Sequence, residues 1–164
     1  MIEALLGSLQ REREHLVATL NGLSEYDVRR PMTPSGTNLL GLVKHVASVE
    51  LGYLADSVGR PHGIELTWTE EQAFEGADMW ATADETREWL LGVYRRSWAH
   101  CDAAVRELGL EAPATVAWWS PGDRETTVGH LVVRMVAETA HHAGHADLLR
   151  EQIGRATDVR GALD

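Results

Sequence analysis

The feature that most limits the fold is a helical spacing of apolar residues, which recurs in four segments of this 164-residue chain. Apolar side chains fall at intervals of three and four residues over about 2–21, 37–58, 82–108 and 126–154. No segment shows a convincing alternation with a period of two between turn residues. We therefore predict an all-α protein, and four amphipathic helices of this length favour a four-helix bundle.

Local signals predict where these helices begin and end. The third helix opens with a capping box, in which Thr82 caps a free backbone N–H and Glu85 reaches back. The fourth is expected to begin at Thr126 or Thr127. Glycine tolerates the left-handed backbone that closes a helix, so a glycine is expected at or near each helix end. These glycines are Gly22, Gly59, Gly109 and Gly154.

The connection between the second and third helices, about 60–81, is much longer than an antiparallel hairpin needs. We predict a crossover that leaves these two helices parallel, which gives an up-down-down-up order. Large side chains of this connection and of the 110–125 connection are expected to pack over the bundle; they are Trp68, Phe74, Met79, Trp80, Trp118 and Trp119. A chain of this size can bury one core but not two, so residues 1–164 are predicted to form a single domain.

Charge and cysteine content exclude several classes of partner. The chain has 15 Lys and Arg residues against 25 Asp and Glu residues, a net charge of −10, and no basic cluster. Nucleic acids and acidic membranes are therefore not expected as partners. No apolar run is long enough to span a bilayer, and the first residues lack the apolar stretch of a signal peptide. With a single cysteine, Cys101, we expect a reducing, cytoplasmic environment and a thiol that fills the core.

The fourth predicted helix carries polar side chains on its apolar stripe. Projected at 3.6 residues per turn, the stripe falls on Glu138 and His142. A buried carboxylate needs a compensating cation, and side chains four residues apart can share one ion. His45, at the edge of the apolar face of the second helix, is the third candidate ligand. One carboxylate and two imidazoles suit zinc, and nickel could bind the same set.

Other ligand sets remain open from the residues alone. His141 and His145 are also four residues apart, although their face of the helix is more mixed. The two Glu-x-x-His motifs, Glu12 with His15 and Glu138 with His141, match a pattern of di-iron carboxylate bundles. That reading needs further seam-facing glutamates, for which Glu50 is one candidate and the third helix offers none.

Residues around the ligands and the remaining histidines receive roles by position. Asp147, His145 and Glu50 could orient a metal ligand through hydrogen bonds. We expect His15 and His130 at the core edge or the surface, and His62 and His100 exposed. Trp89 and Trp98 are expected to pack. No residue is identified as a general acid or base.

Two stretches of the chain, Trp118–Glu151 and Thr37–Glu50, resemble the DinB-like metal-binding four-helix bundles. Within them, the chain is most similar to the branch related to mycothiol-dependent maleylpyruvate isomerase. The resemblance implies a metal held by one His of the second helix and by a Glu and a His of the fourth, which are His45, Glu138 and His142. It also implies a homodimer and the use of a low-molecular-weight thiol such as mycothiol. The isomerase type has a further C-terminal domain, so that particular reaction is not expected here.

These inferences lead to a functional hypothesis. Three protein ligands leave an open position at which a thiol can bind as a thiolate, so the protein itself needs no catalytic cysteine. We predict a metal-dependent thiol S-transferase whose partners are a small-molecule thiol and an electrophile. The alternative is a non-catalytic bundle that binds a metal or small molecule in a stress response.

Overall fold

The structure is a computed structural model that describes residues 1–161, with side chains at every position except 70 and 155–161. It is mostly helical, which agrees with the predicted all-α class. The helices are α1 (Ile2–Ala18), α2 (Glu25–Arg29), α3 (Leu39–Leu54), α4 (Glu70–Phe74), α5 (Arg87–Leu108) and α6 (Val128–Gly161). Two short strands, β1 (Pro113–Thr115) and β2 (Glu125–Thr127), lie between α5 and α6. The last residues of the predicted domain, 162–164, lie outside the described part.

Helix α3 is the centre of the packing. It contacts α5 and α6, while α1 packs mainly against α6 and less extensively against α5. Twelve of the sixteen residues of α3 are buried, which agrees with a sequence that is apolar on almost every face. The long helices α1, α3, α5 and α6 correspond to the four predicted ones, and the up-down-down-up order stays a prediction. No helix in the described part is long and apolar enough to cross a bilayer.

The third long helix begins later than predicted. Helix α5 starts at Arg87, and its first turn is capped by Thr86, whose hydroxyl accepts from the backbone N–H of Trp89. The predicted capping residue Glu85 does accept from the N–H of Thr82, at 2.7 Å. Its carboxylate is buried, however, and also pairs with Lys44 of α3, at 2.9 Å. The capping-box pattern therefore stabilises a turn that precedes the helix.

The C-terminal ends of α1, α3 and α6 also differ from the prediction, whereas α5 ends at Leu108 with Gly109 as its C-cap, as predicted. Helix α1 ends at Ala18, three residues early, and α3 ends at Leu54, after which a 3₁₀ turn (Asp56–Val58) leads to Gly59 in the left-handed conformation. Helix α6 continues through Gly154 to Gly161. A glycine at which the helical hydrogen bonds continue costs only about 1 kcal/mol, so the glycine alone does not end a helix.

The antiparallel pair β1 and β2 was not predicted. Ala114 faces Thr126, and Pro113 faces Thr127. Three residues are too few to show an alternating pattern, so the sequence gives no signal for these strands. The pair closes the loop that carries Trp118 and Trp119, both of which pack against the core as predicted.

The crossover between α3 and α5 is a folded segment held by buried polar contacts. It contains α4, whose N-terminus has a capping box between Thr69 and Gln72, and a 3₁₀ turn, Ala77–Met79. The ammonium group of Lys44 donates to the carbonyls of Ala77 and Trp80.

The packing prediction for this crossover is only partly right. Trp68 is buried, and Met79 packs against the core. Phe74, by contrast, is 67% exposed, and Trp80 is also exposed, so these two side chains do not pack over the bundle as predicted.

The closest approach between the crossover and α3 occurs at Gly41. A Cβ atom at this position would lie 2.0 Å from the backbone oxygen of Met79, next to Asp78. No such contact is possible, so either the turn or the helix would have to move. Glycine is therefore required here by the space available rather than by its backbone angles.

We predict that Gly41→Ala lowers the free energy of unfolding by roughly 3 kcal/mol, because overpacking against backbone cannot be relieved by a side-chain rotation. Gly7→Ala in α1 is the matched control: nothing lies within 4 Å of its added Cβ, and it should be neutral or stabilise by about 0.5–1 kcal/mol. Urea denaturation followed by circular dichroism measures both. Equal stability of the two variants would contradict the close packing of the crossover on α3.

Candidate metal centre

Three side chains that the sequence singled out lie together between α3 and α6. Nε2 of His142 is 3.2 Å from Oε1 of Glu138, and Nε2 of His45 is 3.6 Å from the same oxygen. The two imidazole rings are 4.7 Å apart, centre to centre. One candidate ligand atom from each residue lies within 4.8 Å of the others, so the three could hold a single ion. We call these residues the triad.

Helix geometry explains how the triad forms. Glu138 and His142 are four residues apart on α6 and therefore project from neighbouring turns of one face. His45 comes from α3, which packs against α6. His142 is buried as predicted, but the side chain of Glu138 is 30% exposed. Glu138 therefore interrupts the apolar stripe at the wall of a cavity and not inside the core.

The electrostatics of the triad favour an ionised carboxylate. Hydrogen bonds with His142 and His45 hold the pKa of Glu138 well below its usual range. Burial lowers the pKa of His45, but hydrogen bonds and charge interactions with Asp78 and Glu138 outweigh it and raise this pKa to about 9. In the metal-free protein at neutral pH, His45 therefore carries a proton that a metal ion would have to displace.

The residue that fixes the orientation of His45 is Asp78, which sequence reasoning missed. Nδ1 of His45 lies 2.6 Å from Oδ2 of Asp78, so Nδ1–H donates to this carboxylate and Nε2 faces Glu138. Asp78 is buried and belongs to the 3₁₀ turn of the crossover. A carboxylate behind an imidazole is the usual arrangement at a metal-binding histidine. The only sequence signal was an acidic residue next to Met79 and Trp80.

Of the three residues predicted to orient a metal ligand, one contacts the triad and two do not. Nδ1 of His145 is 3.4 Å from Nδ1 of His142, which makes it the one candidate that contacts the triad. Asp147 instead pairs with His15 of α1, at 2.9 Å. Glu50 is directed into the core, where it pairs with Arg13. The proposed roles of Asp147 and Glu50 are therefore wrong.

Glu50 forms a buried ion pair that links three helices. Its carboxylate accepts from the guanidinium of Arg13, at 2.7 and 3.1 Å, and Arg13 also contacts Asp102 of α5. Burial raises the pKa of Glu50 to about 7, against the opposing effect of Arg13. Because Glu50 is bound to a guanidinium, it is not available for the di-iron reading. His15, which the di-iron pattern also requires as a ligand, pairs with Asp147.

Most remaining predictions about single residues agree with the structure. Trp89 and Trp98 pack against the core, and His130 is exposed. Cys101 is buried, and burial raises the pKa of its thiol well above the usual range. His62 and His100 were expected to be exposed but are partly buried, with ring centres 6.4 Å apart.

His141 and His145, the competing ligand pair, are close to each other but exposed, with ring centres 4.5 Å apart. Within the described part of the chain, no third carboxylate, thiol or imidazole ligand outside the triad completes a set with them. Among the residues that the structure describes, the triad is the one group of three or more such side chains close enough for one ion.

A cavity of about 450 Å³ opens beside the triad. His45 and Glu138 form part of its wall, together with Asp78 and Asp56. Aromatic side chains form much of the rest: Tyr53, Trp68, Phe74 and Trp118. This volume suits a small organic molecule with an apolar part.

A protein-family model described as mycothiol-S-transferase matches residues 4–154, which include the triad and the cavity. The chain belongs to the mycothiol-S-transferase family. No curated protein matches it. Membership of the mycothiol-S-transferase family confirms the relation to mycothiol-linked proteins, while a place beside maleylpyruvate isomerase stays a prediction.

Metal affinity is expected to depend on pH. Because a metal must displace the proton of His45, apparent zinc affinity should rise with pH up to about 9 and fall by up to about tenfold for each unit below that value. Zinc titration against a chromogenic chelator between pH 6.5 and 9 measures this dependence. Affinity that does not change with pH would contradict a role for His45 as a ligand.

Asp78 is expected to strengthen metal binding through His45. Asp78→Asn removes the charge behind His45 and should weaken zinc binding about 10–100-fold without changing the stoichiometry. Asp147→Asn is the matched control, since it breaks a carboxylate–histidine contact on the outside of α6. It should leave zinc affinity unchanged. If both variants bind as the unmodified protein does, Asp78 does not support the metal site.

Proposed function

We propose that this chain is a metal-dependent S-transferase that joins a low-molecular-weight thiol, such as mycothiol, to an electrophile. His45, Glu138 and His142 would hold the ion, for which zinc is the leading candidate and nickel a second. The observation that carries the proposal is the triad itself: two imidazoles and one ionised carboxylate, at the wall of a cavity, in a member of a family named for mycothiol transfer.

The ligand atoms of the triad are of the types that bind a divalent metal ion. After His45 has lost its proton, two neutral imidazole nitrogens and one carboxylate oxygen match the three protein ligands that catalytic zinc sites use, with a further position left for a small molecule. The ionised state of Glu138 and the orientation of His45 by Asp78 prepare the site for a cation. When bound, a divalent ion supplies the positive charge that stabilises a thiolate near neutral pH.

The chain contributes binding and orientation, and the attacking sulfur belongs to the cosubstrate. Cys101 is buried, with a pKa raised well above its usual range, so it is unsuited to act as a nucleophile. In the overall reaction the thiol gives up its proton to solvent and a new sulfur–carbon bond forms. The bond from that carbon to a leaving group then breaks with its electron pair. The aromatic wall of the cavity would hold the electrophile and exclude water.

We expect zinc-loaded protein to conjugate mycothiol with an aryl chloride, in a saturable reaction that chelation of the metal abolishes. His142→Ala should lower kcat/KM at least 100-fold, whereas Cys101→Ala should retain most of the activity. Product formation is measured by absorbance and mass spectrometry, and circular dichroism checks that each variant is folded. Stoichiometric zinc binding without any conjugation would favour the non-catalytic alternative, and equal loss in Cys101→Ala would contradict the assignment of the nucleophile.

A further inference from the structure

A second group of polar atoms lies in the same cavity and takes no part in the triad. Its centre is Tyr53, near the end of α3, whose side chain is only 6% exposed and contributes to the cavity wall. The ring packs between Trp118 and Trp119, with ring centres 5.3 and 5.9 Å away. These contacts fix the position of the phenol.

The hydroxyl group of Tyr53 accepts two hydrogen bonds. Nε of Arg134 donates to it at 2.9 Å, and Nε1 of Trp119 donates at 3.2 Å. A phenol oxygen has two lone pairs, so both acceptor positions are occupied. In the part of the chain that the structure describes, no acceptor lies within hydrogen-bond distance of the hydroxyl proton. The buried O–H is therefore a donor without a protein partner.

Arg134 is the second donor. Its guanidinium lies over the rings of Tyr53 and Trp119, 5.4 and 5.1 Å from their centres, and these contacts hold the group beside the phenol. No carboxylate among the described residues lies within ion-pair distance of it. Other arginines of this acidic chain do have such partners, and Arg13, Arg60 and Arg106 are examples. The terminal N–H groups of Arg134 thus remain for a ligand.

Charges elsewhere in the cavity restrict where an anion could bind. Asp56, Asp78 and Glu138 line the same space and would repel it, and the charge of protonated His45 is already paired with Asp78 and Glu138. Among the lining residues Arg134 is the one Lys or Arg side chain. A planar guanidinium fork beside a phenol donor matches the geometry of a carboxylate. The aromatic side chains next to them suit an apolar body attached to that carboxylate.

We propose that Arg134 and Tyr53 form a recognition site for a carboxylate group, and that the electrophile of this enzyme is an apolar, aryl or alkyl, carboxylic acid. The assignment of the bound acid as the electrophile rests on the proposed function. The anion site itself does not depend on a metal. Arg134 supplies charge and paired donors, Tyr53 supplies the buried hydroxyl, and Trp119 orients both.

Binding to the metal-free protein tests the anion site without any reaction. The probes are 3-nitrobenzoate and the matched neutral 3-nitrobenzamide, followed by quenching of tryptophan fluorescence, since Trp118 and Trp119 adjoin the site. The acid should bind at least tenfold more tightly than the amide. Arg134→Gln should abolish this preference, and Tyr53→Phe should reduce it several-fold. Arg95→Gln, which removes one charge from an exposed position of α5, should leave it unchanged.

Kinetics of the zinc-loaded protein provide the second measurement. With mycothiol, 4-chloro-3-nitrobenzoate should give at least tenfold higher kcat/KM than 4-chloro-3-nitrobenzamide, and Arg134→Gln should remove the difference mainly through KM. Conjugation of both electrophiles at equal rates, with no effect of Arg134→Gln, would overturn the inference and leave the transferase proposal intact. Binding of the acid that depends on Arg134, without any conjugation, would uphold the anion site and overturn the transferase. Equal effects of Arg95→Gln and Arg134→Gln would mean that the preference for the acid depends on the net charge of the protein, and this result would overturn the proposed anion site.

Discussion

The candidate site depends on one interaction, the contact of an ionised Glu138 with two imidazoles across the interface of α3 and α6. A half-buried carboxylate requires positive charge close by, and the proton on His45 supplies part of it in the metal-free protein. This proton is exchangeable, because imidazole loses it within an accessible pH range. A metal ion could therefore take the place of the proton and compensate the charge of the carboxylate.

The contact between the helices is supported from outside the helices. Asp78 reaches His45 only because the crossover is held against α3, through the Lys44–Glu85 pair and the close approach at Gly41. The ion pair is buried, so removal of one partner leaves the other without compensation and destabilises the fold. The backbone contact at Gly41 leaves no room for a larger residue. The length of the crossover allows it to place the carboxylate of Asp78 behind the imidazole of His45. A short hairpin loop could join the two helices, but it could not reach His45.

Periodicity was sufficient to predict that Glu138 and His142 share one face of a helix, since residues four apart are neighbours there. His45 was chosen from its position at the edge of the apolar face of the second helix and from the family resemblance. Periodicity was insufficient for residues whose role depends on nonlocal partners. Glu85 fits a capping box in the sequence, but its partner Lys44 is forty-one residues away, and the helix begins only after the resulting turn. Asp78 lies in a segment without any period, so nothing local marks it. The strands are too short for a pattern to appear.

Glu50 and Glu138 show why an acidic residue on an apolar stripe does not by itself indicate a metal. Both interrupt such a stripe, and sequence reasoning considered both near the site. Glu50 is bound through two hydrogen bonds to Arg13, and a guanidinium does not give up its proton, so a metal ion cannot take the place of a proton in this pair. Glu138 is bound to imidazoles, which can exchange a proton for a metal. The partner of the carboxylate, rather than the carboxylate itself, separates the buried ion pair of the core from the candidate metal centre, and a pattern read along one helix cannot show that partner.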